Sequence, residues 1–272
     1  MTDPHPAADP RTHAVRRAAG LEVLRSLRGG DIDPARAAAA MEARLGALGS
    51  YVVDTVLGEV WSRPGLSHRD RSLIVIAMLS ALDAPTQLRS HLAGGLAHGL
   101  KRAEVEEIMI HLACYAGFPR AIEGMDAAHE VFRERDELAD LPSLFPAVYK
   151  DDAQRRADAR EVRARAFASR ADPAGGVDLG GVARLAISFA FGEVWARPQL
   201  SRRDRSLVTV AALAALGRTA ELRGHLGAAL NHGVTDAELE EVMLTVAMYA
   251  GFPAAVEGMT VLRVVQGAGE VQ

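Results

Sequence analysis

Two stretches decide the fold: GEVWSRPGLSHRDRSL at Gly58–Leu73 and GEVWARPQLSRRDRSL at Gly192–Leu207. Each opens one copy of a longer segment. The first copy runs from Gly58 to Met125 and closes on CYAGFPRAIEGM; the second runs from Gly192 to Met259 and closes on MYAGFPAAVEGM. The copies align without a gap, and roughly three-fifths of paired positions are identical, far above what two unrelated amphipathic segments share. Two copies are too few for a solenoid, so the pattern reads as the duplication of one domain. Within the first copy, Ser67 stands where an N-cap residue would accept a first-turn N–H, with Asp70 at the reciprocal position. The run after it, Leu73 to Leu82, is apolar almost all round, which predicts a buried central helix.

Outward from that helix, the apolar spacing predicts helices throughout. Before it come helices at about Thr12 to Arg28 and from Pro34, then an apolar segment from Tyr51 to Trp61. After it, a break at Asp83-Ala84-Pro85 precedes helices at about Thr86 to His98, Ala103 to Ala116 and Pro119 to Arg135. Leu138 to Asp152 holds two prolines and no helical stripe, and reads as a linker. Beyond it, AREVRARAFASRADP from Ala159 echoes AAGLEVLRSLRGGDIDP from Ala18, so the duplication includes the leading helix. The reading is an all-α chain: a disordered lead over 1–14, a first domain over 15–137, a linker over 138–152 and a second domain over 153–272, frayed after Val265.

Composition agrees. Hydrophobic residues make up 49% of the 272 residues and aromatics only 5%, with Ala and Leu dominant, which favours helices. The net charge of −4 is spread over both signs, which suggests neither a nucleic-acid groove nor a membrane surface. No apolar run approaches a membrane span, and the N-terminus has no apolar core of a secretory signal. Cys114 is the single cysteine, so no internal disulfide can form, and a cytoplasmic location is expected.

The paired GEVW openings, LRSHL and LRGHL, LNHGVT at Leu230–Thr235 and YAGFP together resemble the carboxymuconolactone decarboxylase family, whose fold is the all-helical AhpD-like one. The match covers nearly the whole chain as two tandem copies. The resemblance implies a cofactor-free decarboxylase, with no metal, acting on a small carboxylated lactone or related ring acid. It also implies hexamers among single-copy relatives, so a fused chain should close as a ring-like homo-oligomer, a trimer of fused pairs. Recruitment to isomerisation or cyclisation is one alternative, and a non-catalytic oligomeric binding protein is another. A redox branch of the same superfamily uses a Cys-x-x-Cys pair before a histidine. Here those positions are Ala84 and Gln87, and Arg218 and Glu221, so no resolving disulfide is available.

His91 and His225 match the histidine that follows that pair, and each is a candidate acid/base group. The bland reading is a core histidine bonded to a neighbour. Glu221 lies one turn before His225 and could fix its tautomer; in the first copy the counterpart is neutral Gln87. The second copy is therefore the expected competent site. Arg69 and Arg71, with Arg203 and Arg205, sit in the first turn of the central helices, where cations oppose the helix dipole. A substrate carboxylate would suit them, and so would internal bridges to Asp70 and Asp204 or to Glu59 and Glu193. Trp61, Trp195, Tyr115 and Tyr249 read as core or pocket wall. His98 and His232 read as cations near helix ends, Cys114 as a core filler, and His111, present in one copy only, carries little weight.

Overall fold

The computed structural model describes residues 12–134, 147–167 and 179–267. Residues 1–11 of the expected lead over 1–14, residues 138–146 of the expected linker over 138–152, and residues 268–272 of the tail lie outside the described residues; His13, Ala14 and Asp152 are already helical, and the last helix runs past Val265 to Gly267. All regular structure among the described residues is helical, as the sequence predicts, and two stretches are π-helical. The chain divides into two compact units, Met1–Pro64 and Gly65–Gln272. That cut falls inside the first sequence copy, so the second unit holds most of copy one together with all of copy two.

In the first unit, helix His13–Leu27 starts at Thr12, whose side chain accepts from Val15 N, and helix Pro34–Leu45 starts at Asp33, which accepts from Ala35 and Arg36 N. Pro34 occupies the first turn, where its missing N–H costs nothing. A short helix, Ala47–Tyr51, runs into the π-helical stretch Val52–Trp61. The apolar spacing did not signal this wider winding. It shows in the Ser62 N–H, which reaches back five residues to Leu57 O at 3.1 Å. Gly58 is what lets the leading helix lie against this stretch: a Cβ there would stand 2.3 Å from Arg16 O. Arg16 then pairs with Glu59 at 3.0 Å.

The same device recurs in the second unit. The leading helix Asp152–Ala166, capped by Asp151 onto Gln154 N, meets the π-helical stretch Ala186–Val194, which follows helix Gly180–Leu185. A Cβ on Gly192 would stand 2.4 Å from Arg155 O, and Arg155 pairs with Glu193. Glu59 and Glu193 thus pair with Arg16 and Arg155.

The centre of the second unit is a pair of helices, His68–Ala81 and Arg202–Ala215, lying against each other. Residues 70–81 and 204–215 are all buried, as the all-round apolar pattern requires. Ser67 and Ser201 cap them by accepting from Asp70 N and Asp204 N, each at 3.0 Å. The Asp70 carboxylate does not return that cap; it turns to Arg203 at 3.1 Å. Around the pair stand Pro85–Ala97, Arg102–Leu112 and Phe118–Arg133 from copy one, and Thr219–Asn231, Asp236–Tyr249 and Phe252–Gly267 from copy two. The breaks that separate the central helices from the histidine-bearing ones pass through Asp83, at φ 58°, and Gly217, at φ 65°. Thr235 and Glu238 form a reciprocal capping box on the helix Asp236–Tyr249.

Candidate active site

The four arginines of the central helices meet carboxylates, and mostly those of the other copy. Arg71 donates to Glu241 at 2.6 Å and to Thr245 Oγ1 at 3.2 Å. Arg205 donates to Glu107 at 2.8 Å, to Arg197 O at 2.8 Å and to His111 Nδ1 at 3.2 Å. Both guanidiniums are fully buried, and Glu107 and Glu241 nearly so. Half-buried Arg69 reaches Asp204 at 3.0 Å and Glu104 at 2.6 Å, while Arg203 reaches Asp70 and Glu238. The internal-bridge reading of Asp70 and Asp204 is therefore realised crosswise, between copies. Burial pulls the Arg205 pKa down, opposed by Glu107; for Arg69 the carboxylates outweigh burial and hold it above its ordinary value.

His225 is buried on the helix Thr219–Asn231. Its ring lies parallel to the Trp195 indole, 14° between planes and 6.2 Å between centroids. Tyr115 from copy one meets it edge-on at 5.2 Å, and Phe167 at 6.3 Å. Neither ring nitrogen has a hydrogen-bond partner among the described residues. Burial, with a contribution from His232, pushes its pKa down to about 4, so the imidazole is neutral at pH 7. The counterpart His91 differs: it is half-buried, and Tyr249 from copy two lies with its hydroxyl 3.3 Å from His91 Nε2.

His232 and His98 occupy the C-caps of the two histidine-bearing helices, but they are not cations. Ser206 Oγ lies 2.8 Å from His232 Nδ1 and Ser72 Oγ 2.8 Å from His98 Nδ1. Burial pushes both pKa values down to about 4, assisted by Arg202 and Arg165 at His232 and by His68 at His98. The cation reading overlooked how much of each ring is removed from water. His232 Nε2 is buried with no hydrogen-bond partner among the described residues, and its ring lies 5.8 Å from Trp195. Glu221 is exposed on the first turn of its helix and makes no hydrogen bond to His225. Trp61 is fully buried at the end of its π-helical stretch.

Sequence reasoning missed a buried polar chain. Trp195 Nε1 donates to Tyr115 Oη at 2.7 Å. Thr209 Oγ1 lies 2.9 Å from His111 Nε2, and His111 Nδ1 faces Arg205. Burial raises the Tyr115 pKa and drives that of His111 well below its ordinary value. Cys114 beside them is pushed up to about 12 by burial, which suits a thiol that stays protonated. Thr209 and His111 are replaced by Val75 and Thr245 at the equivalent positions, and that asymmetry was their only mark in the sequence.

A separate cavity of about 620 Å³ lies between Met109, Phe118 and Ile122 of copy one and Phe189, Arg197 and Gln199 of copy two. None of the histidines lines it. Among the described residues no cluster of His, Cys, Asp or Glu could hold a metal ion, and no helix is long and apolar enough to cross a membrane.

The model of the Carboxymuconolactone decarboxylase family matches residues 47–130 and 181–263. A 4-carboxymuconolactone decarboxylase of Acinetobacter baylyi is 60% identical over 67 residues, 25% of this chain and 50% of that protein. A nitrosuccinic acid decarboxylase of Metarhizium robertsii is 40% identical over 77 residues, 28% of this chain and 54% of that protein. An uncharacterised 15.0 kDa protein of Paracoccus denitrificans is 28% identical over 101 residues, 36% of this chain and 75% of that protein. The chain thus spans about half the length of the two named decarboxylases it matches.

Proposed function

Because the chain belongs to the carboxymuconolactone decarboxylase family, we propose that it removes carbon dioxide from a small carboxylated lactone or related acid, with His225 as the proton-handling group. The observation that carries this reading is an imidazole enclosed by Trp195, Tyr115 and Phe167 with both nitrogens unpartnered among the described residues. A core histidine kept for packing would have its polar atoms bonded to protein or to ordered water. The two relatives named as decarboxylases act, by their names, on acids that carry carboxylates.

The chemistry needs little beyond this. When the bond to the carboxylate breaks, its electron pair stays on carbon and passes into a neighbouring carbonyl or nitro group. That carbon must then gain a proton. An anionic substrate beside His225 raises the imidazole pKa, so a proton is taken up with the substrate. His225 then gives that proton to carbon as carbon dioxide leaves, and returns to its neutral form. The ring walls exclude water and strengthen each charge interaction inside.

Arg71 and Arg205 enter this proposal as fixed positive charge and as braces. A substrate carboxylate could bind either only by displacing Glu241 or Glu107. Tuning of His225 falls to its aromatic enclosure and to His232, with Glu221 outside the hydrogen-bonding shell. The His91 site, whose imidazole faces Tyr249, is the weaker of the two. The fused pair is proposed to assemble further as a closed trimer, to be read by light scattering; a monomeric mass would refute that assembly.

The test is carbon dioxide release from 4-carboxymuconolactone and from nitrosuccinic acid, by the purified chain and by its His225→Ala variant. Turnover of one acid, lost on substitution of His225 with folding intact, is the expected result. A His225→Ala protein of undiminished activity would overturn the assignment.

A further inference from the structure

We propose that Arg202, with His232 beside it, is the substrate-binding cation of the His225 site, seating a carboxylate that the substrate keeps and not the one it loses. The inference rests on the functional reading of His225 and adds the group that holds the substrate's other charge.

The central helices carry five arginines in their first turns. Arg69, Arg71, Arg203 and Arg205 each pair with a carboxylate. Arg202 is half-buried and donates to Trp195 O, and no carboxylate pairs with it among the described residues. Burial pulls its pKa down, and the positive charge of Arg205 adds to this. Glu161 opposes the effect, but it pairs with Arg165 at 3.3 Å, and Arg165 pulls the same way as Arg205. A half-buried cation so short of counter-charge is relieved by an anion.

The helix period fixes where that anion would sit. Ser206 is one turn beyond Arg202 and shares its face of the central helix. Ser206 Oγ lies 2.8 Å from His232 Nδ1, and the charge on Arg202 reaches His232, whose pKa falls by burial first and then through Arg202. Trp195 joins the group to the acid/base histidine. Its carbonyl accepts from Arg202, and its indole lies 5.8 Å from the His232 ring and 6.2 Å from that of His225. His232 Nε2 is buried without a partner among the described residues. Whichever way the proton runs between Ser206 and Nδ1, Nε2 has a hydrogen bond left to make. A carboxylate on Arg202 would select the tautomer in which Ser206 donates to Nδ1 and Nε2 carries the proton.

The two copies differ at this place. Arg202 is matched in copy one by His68, whose ring lies 5.0 Å from that of His98, the counterpart of His232. A permanent, forked cation thus stands in copy two where copy one has an imidazole. The chemistry decides which carboxylate it takes. The leaving carboxylate sheds its charge as carbon dioxide forms, so a guanidinium on it would stabilise the ground state and slow the step. A carboxylate that stays keeps its charge throughout, and holding it places the other one at His225. The site is therefore built for a small acid with two carboxylates.

The test uses the full chain. Arg202→Met keeps the length of the side chain and removes its charge. It should raise KM by about 10–10²-fold, the range for one or two lost hydrogen bonds to a charged group, with kcat changed far less. Arg202→Lys should recover part of that loss, and Arg202→His, the residue of copy one, should recover little. A second readout needs no turnover: calorimetry should show succinate, a small dicarboxylate, bound by the unaltered chain and weakened by a similar factor in Arg202→Met. Should Arg202→Met not fold, Arg202→His decides in its place, since the fold already carries histidine there in copy one. Unchanged KM in a folded variant, beside a dead His225→Ala, would overturn this inference and leave the functional reading standing. A fall in kcat with KM unmoved would show that Arg202 only braces Trp195, and would overturn it equally. If the unaltered chain turns over neither acid, the functional reading falls and succinate alone decides the seat. Binding lost with Arg202 upholds it; binding that survives, or none at all, removes it.

Discussion

Tyr249 places its hydroxyl 3.3 Å from His91 Nε2, and its counterpart Tyr115 accepts from Trp195 Nε1 and meets His225 through the ring edge. Each copy reaches into the other's histidine site, so neither site is the property of one repeat. That arrangement follows from the central helices, which lie together and bring Arg102–Leu112 and Asp236–Tyr249 each to the opposite copy. The consequences separate into stability, which the arginines govern, and chemistry, which the histidines govern.

Removing the carboxylate takes its paired counter-charge from a buried arginine. Glu241→Gln and Glu107→Gln should each cost about 3–5 kcal/mol, the range for breaking a buried pair from one side. Urea unfolding measures this. Arg69 and Arg203 are half-buried, so Asp70→Asn or Asp204→Asn should cost less, and the loss should shrink as salt rises.

Gly58 and Gly192 are tests of a backbone contact. A Cβ at either would fall 2.3 or 2.4 Å from a carbonyl oxygen of the leading helix. Backbone cannot rotate away, so the helix must shift. Gly58→Ala and Gly192→Ala should each destabilise by about 1–3 kcal/mol by calorimetry. A neutral result would mean that the leading helices are held by their Arg16–Glu59 and Arg155–Glu193 pairs alone.

Acid should destabilise the fold before any carboxylate is involved. Burial holds His225, His232 and His98 near 4, below the ordinary histidine value. The unfolded chain therefore takes up these protons first as pH falls. Their contribution to stability is whole above about pH 6.5 and is lost progressively down to about pH 4. For buried His225 the loss amounts to at most about 3 kcal/mol. Melting temperature should fall steadily between these limits, and less steeply in His225→Gln. A flat profile would show these imidazoles to be better hydrated than their surroundings indicate.

The helical fold was legible because its signals are local: the apolar all-round run after Ser67, the Pro and Gly breaks, and a repeat that doubles every cue. The π-helical winding of Val52–Trp61 and Ala186–Val194 was not, since an apolar stripe has nearly the same look at either pitch. The arginines were legible as needing partners, because they sit against the helix dipole. Which partners they found was not, because Glu241 is 170 positions from Arg71 and belongs to the other copy. His111 and Thr209 illustrate the bias of reading a duplication. Weight was given to what both copies share, and these two residues differ between copies because the two sites differ.

The decisive comparison is between the two histidines and Glu221. His225 is enclosed, neutral and unpartnered among the described residues, whereas His91 is half-buried with Tyr249 facing its Nε2. An imidazole that must first give up a protein contact is the poorer proton handler. His225→Ala should therefore lower turnover by about 10²-fold or more, within the usual range for acid–base groups, and His91→Ala by less. Glu221 is one turn away but exposed, so its charge is screened by water. Glu221→Gln should change turnover no more than about two-fold, far short of an acid–base group's effect. The variants must be compared at matched folded fraction, because His225 also packs against Trp195 and Phe167. Equal losses from His91→Ala and His225→Ala, at unchanged melting temperature, would mean that both sites work. A loss of about 10²-fold from Glu221→Gln would mean that the helix end closes over His225 when substrate binds, bringing the carboxylate into the site.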